Sequence, residues 1–340
     1  MRRVKTGIVG LGGLGKIHGF HLAHEIPQAD LTAACSLVDE ELEYAKDVLS
    51  VKHTFRSYED MIAQADIEAV VIVSPSRFHA EHIVAALSAG KHVFSEKPLG
   101  VTVEECKSIE KMVEQKPDLV FTLGFMRRYD KSNVYAKKRI DAGDIGTPYM
   151  VKATTIDPAR DVQACIKFAR NNPGMLFLGL GVHDADLLRW FMADKASTVY
   201  AVGGTYAHPQ FSEFGDAEVG CAVYTFEHGG MGFQHVGRSA PHGYHVETEI
   251  IGTEGTIRIS PVPQKNLAVL LDKNGAAMEC VQNYKERFKE AYKDELSDFC
   301  DCILERRKPE ITVYDGTIAT QMTMAATRAF DEKMEVQISY

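Results

Sequence analysis

Along the first 120 positions, short apolar runs alternate with stretches whose apolar residues recur every three to four positions. The runs predict strands over 4–9, 30–35, 69–73, 92–95 and 119–122, and the stretches between them predict helices over 15–26, 40–49, 79–89 and 103–115. Strands separated by helices of this length require crossover connections, which predicts a mostly parallel sheet covered on both faces. After Gly124 the pattern changes. Strand-like runs at 198–206, 218–226, 231–236, 246–251 and 256–259 include neighbours joined by the tight clusters Glu227-His228-Gly229-Gly230 and Gly252-Thr253-Glu254-Gly255. Such spacing predicts antiparallel hairpins. Helices are expected over 177–193, 286–306 and 315–331. Two domains follow, 1–123 and 124–340, the second an α+β unit on a large, mainly antiparallel sheet; its last helix is free to pack on the first.

Composition narrows the functional classes. The chain has 340 residues, 45% of them apolar and 25% charged, which is ordinary for a globular protein of about two domains. A formal charge of −9 disfavours nucleic acid and anionic membranes as partners, since both select clustered Lys and Arg. No run of about 18 apolar residues predicts a membrane span. The segment after Met1-Arg2-Arg3 is Gly-rich and reads as a strand entering a loop rather than as a leader. Seven cysteines lack a framework spacing, which fits a reducing, cytoplasmic location.

Three motifs carry chemistry. Gly10-x-Gly12-x-x-Gly15 follows a strand and opens a helix, the context in which a glycine loop binds a dinucleotide. Gly10 permits the turn, Gly12 lets backbone amides approach a diphosphate, and Gly15 permits close helix packing. Second, the strand 30–35 is followed by Ser36, where an acid ordinarily binds the adenosine ribose. A neutral Ser does not repel a 2′-phosphate, yet Leu37 follows where an Arg would hold one, leaving Asp39 or Glu40 to serve if the loop curls back. NAD is the expected cofactor, with NADP still compatible. Third, Ser95-Glu96-Lys97-Pro98 ends the strand 92–95, at the strand edge where open α/β sheets bind ligands. A surface Lys before a helix is the plain alternative.

His183 lies in Gly179-Leu-Gly181-Val-His183-Asp184-Ala-Asp186-Leu-Leu-Arg189-Trp190. On spacing alone it reads as a structural histidine. His183 and Asp186 sit at i, i+3, but no third ligand stands nearby and no metal is expected.

Together, the glycine loop, Glu96-Lys97-Pro98, Gly124-Phe125-Met126-Arg127-Arg128-Tyr129-Asp130, the His183 segment and Arg287-Phe288-x-x-Ala291-Tyr292 resemble the glucose–fructose oxidoreductase/inositol dehydrogenase (Gfo/Idh/MocA) family. Within it, the chain is most similar to bacterial inositol 2-dehydrogenases. The resemblance implies a Rossmann domain followed by an open-sheet domain that commonly supports dimers or tetramers. It also implies catalytic roles for Lys97 and His183, with Gly10, Gly12, Gly13, Leu14, Gly15, Ser36, Ser74, Glu96 and Lys97 at the cofactor. Arg127, Tyr244 and Tyr292, with His242 and Asp157, are implied at a polyol substrate. The family pattern places an Asp four residues before the His, and here that residue is Gly179. Weaker activity or a different substrate follows from the change. Two alternatives to a cyclitol dehydrogenase stand beside it: a dehydrogenase of another sugar, and a dinucleotide-binding regulator without turnover.

Overall fold

The computed structural model describes residues 2–172 and 174–340. In chain order the strands are β1 (Val4–Val9), β2 (Ala29–Cys35), β3 (His53–Phe55), β4 (Ala69–Ile72), β5 (His92–Glu96), β6 (Phe121–Gly124), β7 (Pro148–Pro158) and β8 (Ala196–Gly204). They continue as β9 (Val219–Phe226), β10 (Met231–Ala240), β11 (His245–Gly252), β12 (Thr256–Ile259), β13 (Gln264–Asp272), β14 (Gly275–Cys280) and β15 (Val336–Gln337). The helices are α1 (Gly15–Phe20), α2 (Asp39–Asp47), α3 (Tyr58–Gln64), α4 (His79–Ser88), α5 (Val103–Gln115), α6 (Lys131–Asp141), α7 (Val162–Asn171) and α8 (Val182–Met192). Three more follow: α9 (Tyr284–Arg287), α10 (Lys289–Glu305) and α11 (Val313–Glu332).

Contacts divide the chain into two units, Met1–Tyr129 with Glu290–Thr320, and Asp130–Lys289 with Gln321–Tyr340. The first holds six parallel strands in the order β3-β2-β1-β4-β5-β6. β4 is buried at every position, as a strand covered on both faces must be. The order reverses between β1 and β4, the switch point at which such sheets open a crevice for ligands. The division falls six residues beyond the expected break after 123, and it returns 290–320 to the first unit. The cause is apolar. Leu296, Phe299, Cys300, Cys302 and Ile303 on α10 share one core cluster with Val4, Ile8, Leu22, Leu31 and Phe94. Tyr129 Oη donates to Asp298 of α10 at 2.8 Å, and Arg128 pairs with Asp315 of α11 at 3.0 Å.

The second unit holds seven strands in the order β12-β11-β7-β10-β9-β8-β15, antiparallel except for β7 with β10. The interior strand β7 lies outside the strands read from the pattern. Helix α8 covers one face: Gln234 Nε2 donates to the Gly181 carbonyl at 2.6 Å, and Thr155 Oγ1 donates to Asp184 at 2.7 Å. The opposite face presents Tyr200 and Val223, which are register partners, and Val202, each about half exposed. β13 and β14 form a separate exposed hairpin.

The helix expected over 177–193 is two elements. A π turn covers Leu176–Leu180, Gly181 caps it, and α8 runs from Val182 to Met192, where Ala193 ends it in the left-handed region at φ 50°. No helix among the described residues is long and apolar enough to cross a membrane.

Candidate active site

In the first unit the expected site residues stand at or just beyond the carboxyl ends of the parallel strands. Gly10 follows β1 with φ +86° and donates its amide to the Cys35 carbonyl at 2.9 Å. A Cβ there would lie 2.6 Å from the Val73 carbonyl oxygen, and one at Gly15 would lie 2.0 Å from that of Gly10. Both positions exclude any side chain. Gly12 differs. Its nearest neighbour would be Glu41 Oε1 at 3.9 Å, so the loop is closed beneath Gly10 and Gly15 and open over Gly12. That cradle fits a diphosphate held by backbone amides.

Ser36 follows β2, and its hydroxyl donates to Glu41 Oε2 at 2.6 Å while accepting the Val38 amide at 3.1 Å. Asp39 pairs with Arg56 instead of curling back. Ser74 follows β4 by two residues and Lys97 follows β5 directly. Between them stands His79, with Nε2 2.8 Å from the Ser74 carbonyl and Nδ1 2.7 Å from that of Pro98. Burial pushes the His79 pKa below the ordinary imidazole range, and a neutral ring donates to one carbonyl at a time. One imidazole thus spans the loop after β4 and the turn that carries Lys97.

Beneath Lys97 lies a buried cluster that the motifs did not reveal. His18 Nε2 is 2.7 Å from Glu96 Oε1, and Glu96 Oε2 accepts the Lys97 amide at 3.2 Å. Gly124, opposite Glu96 in the β5–β6 register, leaves room for that carboxylate, since a Cβ would stand 3.1 Å from Oε1. Glu295 of α10 completes the group, with one ligand atom from each of the three residues within 4.8 Å of the others. Tyr292, one turn earlier, meets the His18 ring edge-on at 5.5 Å. Burial, and then the neighbouring Glu96, holds the Glu295 carboxyl well above the usual carboxylate range, which favours its protonated form. Spacing offers no signal for this cluster: residues 18, 96 and 295 meet only through the fold. Arg127 lies in the turn after β6 and is almost wholly buried.

In the second unit, His183 opens α8, buried, beside the Asp184–Thr155 bond. Asp157 closes β7. Because His245 at the start of β11 pairs with Ile156, Tyr244 and His242 enter at the same end of the sheet. Tyr244 is buried, its amide donating to the Val281 carbonyl at 2.8 Å and its ring edge-on to Phe288. His242 is exposed and reaches His245 at 2.9 Å. The unit therefore gathers four expected residues at one sheet end. Gly179 is in the π turn, so positions 179 and 183 do not share an unbroken α-helical face. A Cβ at 179 would meet Met175 Cε at 3.2 Å and Phe168 Cε1 at 3.9 Å.

The cysteines form no disulfide among themselves, and the Cys165 thiol points to Asp157 at 3.9 Å. All seven are free, and burial pushes the Cys35 and Cys106 thiols up to about 11 and those of Cys165, Cys300 and Cys302 to about 12. Such thiols remain protonated at neutral pH and are poor nucleophiles.

A glycine cradle at the switch point of a parallel sheet, a Lys after β5 and an open mixed sheet define an NAD(P)-type oxidoreductase of two-domain build. Residues 4–125 match the oxidoreductase family with the NAD-binding Rossmann fold, and residues 134–258 match the GFO/IDH/MocA C-terminal domain. The chain belongs to this Gfo/Idh/MocA family. It is 31% identical to scyllo-inositol 2-dehydrogenase (NAD(+)) of Bacillus subtilis (strain 168), over 99% of this chain and 96% of that protein. The solved structure of scyllo-inositol dehydrogenase from Lactobacillus casei with bound NAD(H) and scyllo-inositol is 43% identical, with TM-score 0.97 and both chains covered to 100%. That of myo-inositol 2-dehydrogenase from Lactobacillus plantarum is 36% identical, also with TM-score 0.97, covering 99% of this chain and 100% of that one.

Glu295→Gln fixes the neutral form of the buried carboxyl. The wild-type group titrates near about 4.3 when unfolded and well above that when folded. The stability it confers is therefore complete below the unfolded value and is lost as pH rises towards the folded one. Thermal and urea unfolding of the two proteins should agree near about pH 4 and separate above it. The wild type should fall behind by up to about 1.4 kcal/mol per pH unit. Parallel stability curves would mean that Glu295 is ionised in the fold.

Proposed function

We propose that this chain oxidises a secondary alcohol of a cyclitol, of the myo- or scyllo-inositol type, to the ketone with NAD. The observation that carries the reading is the Gly12 cradle with Lys97 on the same strand-end edge, in a chain similar end to end to a dehydrogenase solved with NAD(H) and scyllo-inositol. When bound, the nicotinamide supplies the hydride acceptor. Gly10–Gly15 hold the diphosphate, and Ser74 and Glu96 border the cofactor. His183 takes the hydroxyl proton as general base, an imidazole being effective near neutral pH. The Lys97 ammonium donates a hydrogen bond to the same oxygen and stabilises its developing negative charge. Arg127, Tyr244 and Tyr292, with Asp157 and His242, hold the remaining hydroxyls.

The test is a panel of inositols, aldoses and deoxysugars assayed with NAD and NADP. Turnover confined to non-cyclitol sugars would move the enzyme to the second reading, which Gly179 favours. Cofactor binding without turnover on any polyol would favour a regulator. Lys97→Ala and His183→Ala should each lower kcat by roughly 10²–10⁴. A His183 variant with full kcat would remove it from the chemistry.

Gly179→Asp tests the missing carboxylate. Its Cβ displaces only the flexible Met175 methyl, 3.2 Å away, so the variant should fold and raise turnover on scyllo- or myo-inositol. A folded variant without gain would mean that the pocket serves another substrate.

We also propose a homo-oligomer, dimer or tetramer, built on the sheet face bearing Tyr200, Val202 and Val223. Exposed faces of antiparallel sheets are ordinarily polar, and on this one Tyr200, Val202 and Val223 form an apolar patch. Val223→Glu should lower the mass found by light scattering; an unchanged mass would place the interface elsewhere.

A further inference from the structure

We infer that Glu41, positioned by Ser36, is the residue that binds the adenosine ribose and selects NAD over NADP. This rests on the oxidoreductase reading above and extends it to the cofactor's far end. Glu41 is the third residue of α2, after Asp39 and Glu40. An acid at that position commonly folds back on the amide of the residue capping its own helix. Here the capping residue is Val38, and its amide is already taken by Ser36 Oγ at 3.1 Å. The Glu41 carboxylate is thereby released towards the glycine loop. Its Oε2 accepts the Ser36 hydroxyl at 2.6 Å and the Leu11 amide at 3.3 Å.

Ser36 spends its single proton on Glu41 and has none to give a ligand. Oε1 of Glu41 accepts no hydrogen bond among the described residues and stands 3.9 Å from where a Gly12 Cβ would be. It is therefore an acceptor beside the open part of the cradle, where a dinucleotide presents the ribose hydroxyls. Leu37, 78% exposed and next to Ser36, offers the adjoining base an apolar face. The negative charge that strand β2 lacks at its end is thus supplied by the following helix. A vicinal diol gains from it as a donor, whereas a 2′-phosphate meets a like charge.

Arg56 is the competing candidate, because a guanidinium near this end would hold a 2′-phosphate. It pairs with Asp39, and Nη1 lies 3.4 Å from the Leu37 carbonyl oxygen.

Calorimetric titration of NAD⁺ and NADP⁺ into the full chain, without substrate, tests the inference. The wild type should bind NAD⁺ at least about a hundredfold more tightly than NADP⁺. Glu41→Gln, which keeps shape and removes charge, should weaken NAD⁺ by roughly tenfold and narrow the ratio. Ser36→Ala should move both values the same way by less. Ser36→Asp added to Glu41→Gln should restore the preference for NAD⁺. An unchanged ratio in Glu41→Gln, or a wild type that prefers NADP⁺, would overturn the role of Glu41 and leave the dehydrogenase standing. A wild type that binds neither dinucleotide would overturn both.

Discussion

The first unit depends on how closely its backbone passes itself at the switch point. Gly15 packs so near Gly10 that an added Cβ would stand 2.0 Å from a carbonyl oxygen, and Gly10 in turn closes on Val73 and Ser74. That double approach brings the loops after β1 and β4 together and leaves Gly12 as the open edge. The hydrogen bond from Gly10 to Cys35 adds the end of β2 to the same junction. Three strand ends are thus held in register by backbone alone. Side chains at Ser36, Ser74 and Lys97 inherit positions that none of them creates.

Polar groups then stiffen what the glycines assemble. His79 stands between the Ser74 and Pro98 carbonyls and donates to one of them, and Glu96 turns back to accept the Lys97 amide. Two buried carboxyls within reach of each other cannot both ionise at ordinary cost. Raising the Glu295 pKa, as burial and then Glu96 do, relieves that conflict with a proton rather than with solvent. The consequence is a buried polar base beneath the backbone turn that carries Lys97. A partly satisfied buried network is costly in most cores, and its presence beneath the strand end that carries the motif Lys is in keeping with function rather than packing.

What the residues disclosed in advance follows from which forces are local. Parallel βα units were legible because β1 and β4 are short apolar runs bounded by helical spacing. Glycine in a φ-positive turn leaves a fixed signature. β7 escaped because the polar Thr155 takes a buried position, the apolar Ile156 a more exposed one, and a Pro stands at each end, although it is an interior strand of its sheet. α6 escaped for the opposite reason: Lys131, Lys137, Lys138, Arg139 and Asp141 leave it few apolar positions, and Asn133 and Ala136 alone are buried. Of the three acids that open α2, helix geometry turns the third, Glu41, and not Asp39 or Glu40, towards Ser36. Helical periodicity likewise suggested an unbroken face from 179 to 183, and the π turn capped by Gly181 breaks it.

The two histidines read as site residues in the second unit illustrate how burial ranks candidates. His183 sits in the fully enclosed opening turn of α8, whereas His242 lies exposed and already engages His245. A polar group discriminates between substrates chiefly when its loss leaves a partner buried and unsatisfied. By that criterion Arg127 and Tyr292 in the first unit and Tyr244 in the second, each under 5% exposed, are the residues that the proposed reading would find costly to leave unsatisfied. His242 and the half-buried Asp157 can be compensated by water. A carboxylate at position 179 would stand in the π turn, beside Met175 and Phe168 of its own unit, and therefore close to the turn that leads into α8.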